Sequence, residues 1–107
     1  MRSVDLLEEL RAALDAVEPL IVGRMVDIEM SRLRVLADPV LFRREFGSLV
    51  ESAVSDAEPT QSITVRVART GNAARIEVIN ERPGAGSEAV FGSMSLPLAG
   101  ASSAADA

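Results

Sequence analysis

A chain of 107 residues, 48% hydrophobic and 25% charged, holds one domain around a single modest core. Sixteen acidic against eleven basic residues leave a net charge of −5, which argues against nucleic acid or an anionic membrane as main partner, since both need a dense basic footprint. With no cysteine and no histidine, thiol nucleophiles, disulfides, ordinary zinc sites and imidazole acid–base chemistry are excluded, while apolar runs too short to span a bilayer and an acidic, amphipathic start make the cytoplasm the default location.

Val4, Leu7, Leu10, Leu14, Val17 and Ile21 recur at helical spacing. They predict a first helix with Ser3 as cap and Asp5, Glu8 and Glu9 near the positive end of its dipole. Pro19 should stop or bend it at Glu18 and leave residues 20–22 as a packed loop before Gly23. Met25 to Ser31 alternates apolar Val26, Ile28 and Met30 with Asp27 and Glu29, as a strand with one wet face does, and Arg34-Val35-Leu36 reads as a short second strand. Asp38 as cap and Pro39 at the first helical position open a central helix that runs to Ala57. Its apolar face comprises Val40, Leu41, Phe42, Phe46, Leu49, Val50, Ala53, Val54 and Ala57. Ile63, Val65 and Val67 alternate with polar residues, Thr70-Gly71-Asn72 turns the chain, and Arg75 to Ile79 returns as the second arm of a hairpin. Beyond Glu81 the composition shifts to Gly, Ser, Ala and Pro, with one apolar island at Val90-Phe91 and Met94 to Leu98. Ala99 to Ala107 reads as a weak helix or a frayed tail. Residues 1–107 are therefore expected to form one α+β domain, a two-layer α/β sandwich in which helices cover one face of a mixed or antiparallel sheet.

Three stretches in that order carry a resemblance. Val35-Leu36-Ala37-Asp38-Pro39 leads into a helix bearing Leu49-Val50-Glu51-Ser52-Ala53. Ile76-Glu77-Val78 then runs into Asn80-Glu81-Arg82-Pro83-Gly84, and Phe91-Gly92-Ser93-Met94-Ser95-Leu96 follows. Over residues 4–107 the sequence resembles the GHKL, or Bergerat-fold, ATP-binding domain of bacterial sensor histidine kinases. The resemblance implies ATP with magnesium as cofactor and a nucleotide site made from Ser52, Asn80, Gly84, Ser93 and Ser95, and the substitutions within it count against that site. Ser52 stands where the family has the asparagine that helps to hold the metal; on chemistry alone it is a small residue that lets a helix pack. Asn80 replaces the aspartate that reads the adenine amino group and can accept through its amide oxygen. Arg82 stands in place of a glycine beside the base, and only Gly84 matches; without a ligand the stretch is a serviceable turn. In the second glycine box Ser93 or Ser95 would cap a helix with its own hydroxyl, and Pro97 removes one N–H that a phosphate would use. Between the boxes only Ala85 to Val90 remains of the family's lid.

The resulting expectation is a degenerate histidine-kinase-type domain acting as a regulatory or docking module in bacterial two-component-type signalling, with a protein partner. Two alternatives stay open: an ATP-binding kinase domain that phosphorylates a histidine on another chain, and an unrelated small α+β interaction domain. In the family two further strands pair beside the one equivalent to Arg75–Ile79. Since the sequence stops at Ala107, that strand is expected to be a free edge that recruits a partner strand or a second copy of the chain.

Overall fold

The computed structural model describes residues 1–56, 62–81 and 88–99. The chain opens on a strand where the sequence predicts helix. β1 (Arg2–Asp5) pairs antiparallel with β3 (Arg34–Ala37), with Val4 buried opposite Val35. Ser3, expected as a helix cap, lies in β1 and accepts from the Arg34 guanidinium through its hydroxyl at 3.0 Å and its carbonyl at 3.2 Å. The cap of α1 (Leu6–Ala16) is Asp5, whose carboxylate accepts from the Glu8 N–H at 3.2 Å. With the helix starting there, Leu6, Leu10 and Ala13 form its buried stripe. Pro19 begins a helical turn instead of ending one, because it sits in the first turn of α2 (Glu18–Ile21), where its missing N–H costs nothing.

β2 (Val26–Glu29) and β3 lie where the alternation puts them, and Asp38 caps α3 (Pro39–Asp56) by accepting from the Val40 and Leu41 N–H groups at 3.0 and 3.4 Å. The buried stripe of α3 is narrower than the spacing suggests. Phe42, Phe46, Val50 and Ala53 are buried, the two rings stacked at 5.7 Å, while Val40 is 78% and Leu41 47% exposed. β4 (Ile63–Thr70) and β5 (Ala73–Glu81) form the expected hairpin, Val65 opposite Val78 and Val67 opposite Ile76. Gly71, at φ 61°, supplies the left-handed position at the first centre of its two-residue turn.

The four-stranded sheet has the order β2-β4-β5-β6, with β2 parallel to β4 and the rest antiparallel. It is mixed, as expected, and the helices pack on one face of it. Leu6, Leu10, Phe46 and Val50 meet Val65, Ile76 and Val78 in the core.

β6 (Glu88–Pro97) corrects two expectations. The stretch holding Ser93 and Ser95 opens no helix: Gly92, Met94 and Leu96 are half-buried while Ser93 and Ser95 are exposed, an alternation of period two that suits a strand. β6 pairs along β5 from Ala73↔Pro97 to Glu81↔Glu88, with a one-residue slip between Val78 and Ile79. Arg75 to Ile79 is therefore no free edge, because β4 takes its backbone groups on one side and β6 on the other. Leu98 then bridges to Val35 of β3 and ties the small sheet to the large one. The expected helix or tail is a turn at Ala99, whose N–H donates to the Arg34 carbonyl at 2.9 Å; its remainder lies outside the described residues.

Candidate functional site

The second half of α3 lies against the end of β5, and Asn80 joins them. It is 5% exposed, on the helix-covered face opposite Ile63, and its Nδ2 donates to the Ala53 carbonyl at 3.4 Å. Its Oδ1 is buried and has no hydrogen-bond partner. An acceptor in that state forfeits about 1–3 kcal/mol of hydration. Ser52, next to Ala53, is exposed. Structure and resemblance thus agree in bringing the Ser52–Ala53 segment and Asn80 to one place. Gly84 and Arg82 lie outside the described residues.

Ser93 and Ser95 are not part of that place. They pair with Glu77 and Arg75 on the sheet face turned away from the helices, whereas Asn80 faces α3. On the helix side of β6 stands Gly92, and a Cβ there would lie 2.6 Å from Leu49 Cδ1. Gly92, which stands between the glycine positions that Phe91 and Ser93 occupy, thus lets a leucine of α3 rest against the strand. Asn80 Oδ1 is an unused acceptor, but it is closed off from solvent, so an exocyclic amine would reach it only if the surrounding atoms opened. The segment expected to open a helix and offer its N–H groups to a triphosphate is instead strand, paired along β5. No three of the described Asp and Glu residues converge to help Ser52 hold a metal.

No protein-family model matches the sequence, and no curated protein matches it. Solved structures do. A mycobacterial sensor histidine kinase, MprB, aligns at TM-score 0.67 and 18% identity over 78% of this chain and 56% of that one. The fold is that of a histidine kinase catalytic domain. The histidine kinase AdeS of Acinetobacter baumannii aligns at TM-score 0.65 and 12% identity, covering 80% of this chain and 44% of that one. The catalytic domain of the histidine kinase ThkA, in a nucleotide-free form, gives 0.60 and 19% over 77% and 59%. ThkA has also been solved in complex with the response regulator protein TrrA. This chain spans about half the length of these structures. The pairing of β6 with β5 also accounts for a pattern already present in the sequence. Gly92-Ser93-Met94-Ser95-Leu96 alternates as a strand does, and its likeness to a glycine box masked that signal.

Proposed function

We propose that the protein is a histidine-kinase-type domain that has lost the phosphate half of its nucleotide site and serves as a regulatory or docking module in bacterial two-component-type signalling. The cytoplasm is its proposed location; no helix among the described residues is long and apolar enough to cross a membrane. One observation carries the reading: β5 and β6 form a hairpin that closes at Glu81↔Glu88. Only residues 82–87 separate those ends, a stretch too short to supply both a lid and a phosphate-binding helix. Ser93 and Ser95 are strand residues, and Leu49 occupies the helix side of Gly92. The complex of ThkA with TrrA supports a signalling protein as partner.

The unpartnered Oδ1 of Asn80 favours a second reading, in which the domain retains purine recognition and works on a histidine of another chain. Thermal unfolding in millimolar magnesium-ATP and in adenosine separates the two. A competent site at one hundred times its dissociation constant stabilises the fold by about 2.7 kcal/mol. No shift with magnesium-ATP and no phosphate release are expected. A saturable ATP shift, or turnover that disappears in Ser52→Ala, overturns the proposal.

A further inference from the structure

β2 is an outermost strand of the four-stranded sheet, and its backbone is half used. The Ile63 N–H donates to the Met25 carbonyl at 3.0 Å, and the parallel register sets Val26 beside Ile63 and Ile28 beside Val65. Backbone groups alternate sides along a strand. Met25, Asp27 and Glu29 therefore turn theirs toward β4, while Val26 and Ile28 turn theirs outward, where no described strand receives them. The side chains also divide. Val26 and Ile28 are half-buried on the helix side, and Asp27 and Glu29 are exposed on the other beside Met25, which is 68% exposed. Glu29 is held at 3.2 Å by Arg66 of β4; Asp27 takes part in none of the ion pairs among the described residues.

We infer that β2 is the docking edge and that its occupant is an extended segment of a partner protein in which apolar residues alternate with arginine or lysine. The apolar residues continue the helix-covered layer beyond Val26 and Ile28. The basic ones meet Asp27 and Glu29, and the main chain takes up the outward N–H and C=O groups of Val26 and Ile28. Charge disfavours a second copy of this chain. A two-fold antiparallel pairing centred on Asp27 sets Asp27 against Asp27, one centred on Ile28 sets it against Glu29, and both copies carry a net charge of −5. This names the surface for the docking role proposed above and rests on that reading.

The test uses the full chain and three hexapeptides: alternating valine and arginine, the same with every second amide N-methylated, and alternating valine and glutamate. The valine–arginine peptide is expected to bind and to slow hydrogen exchange at the Val26 and Ile28 amides, while the methylated peptide, equal in charge, loses at least tenfold in affinity and the glutamate peptide does not bind. Asp27→Lys, an exposed change that leaves the fold intact, weakens the valine–arginine peptide roughly fivefold. Equal binding of the methylated peptide overturns the inference by reducing it to charge attraction. Val26 and Ile28 amides that are already slow in the free monomer overturn it because the edge is then covered, and a dimer protecting the same amides overturns it in favour of a second copy. If these tests fail while magnesium-ATP still has no effect, docking uses another surface; an ATP shift removes the docking reading itself.

Discussion

Asn80 is costly where it stands. Its Nδ2 reaches the Ala53 carbonyl at 3.4 Å, a long bond, and its Oδ1 is buried without a partner. Unless a ligand uses that oxygen, an apolar side chain of similar shape suits the position better. Asn80→Leu is therefore expected to raise stability by about 1 kcal/mol, or about 4–8 °C in Tm for a domain of this size, and to remove any response to adenosine. A lower Tm would mean that the amide contributes more than the structure assigns to it. Gly92 presents the opposite case, a residue whose missing side chain is occupied by a neighbour. Gly92→Ala drives a Cβ toward Leu49 Cδ1, the mobile end of a half-buried side chain, so a cost of about 1 kcal/mol is expected. In a Leu49→Ala background that cost should vanish, and a double-mutant cycle by denaturant unfolding measures the coupling.

Among the elements, those with strong local signals were legible in the sequence. Asp38-Pro39 marked the start of α3, and the alternation from Ile63 to Ile79 marked the β4–β5 hairpin. The misreadings came where a non-local partner overrode a local period. Val4 fits a helical stripe with Leu7 and Leu10, yet pairing with β3 makes it strand. Ser93 and Ser95 fit the place of a helix cap, yet β5 offered an unpaired row of backbone groups and Gly92, Met94 and Leu96 have the period to fill it. Of the candidate site, the approach of the Ser52–Ala53 segment to Asn80 was legible. That Ser93 and Ser95 stand on a strand away from Asn80 was not legible, because that strand is made by pairing with β5. Because β6 occupies that row, the amides of Arg75 to Ile79 should be among the slowest to exchange in the chain. Ile79→Pro, which at a free edge would cost only a docking donor, should instead destabilise the fold by about 3 kcal/mol or more, since Ile79 is fully buried in an interior strand. Urea unfolding of that variant gives the answer, and a cost below 1 kcal/mol would mean that β6 is not firmly paired.

At the scale of the whole molecule, two sheets have to behave as one domain on a core that a chain of 107 residues can only just supply. Helix packing joins them on one side, since α1 follows β1 directly and Arg43 of α3 holds Glu9 of α1 at 3.1 Å. Leu98 joins them on the other. It is 5% exposed, bridges Val35 of β3, and donates its N–H to the Asn72 carbonyl in the β4–β5 turn at 2.8 Å, while Ala99 donates to Arg34. A single residue in an Ala- and Gly-rich stretch thus touches both sheets, a role that local sequence could not reveal because both of its partners are remote in the chain. Leu98→Ala keeps the backbone bonds and removes the packing, with an expected cost of about 2–5 kcal/mol. Its distribution should be uneven: β1 and β3, held by each other and by this joint, should exchange their amides faster at once, while β4 and β5 change only as far as global stability falls. Amide exchange measured strand by strand in the variant decides the point, and a uniform loss across all strands would instead make the two sheets one cooperative unit held together by the helices.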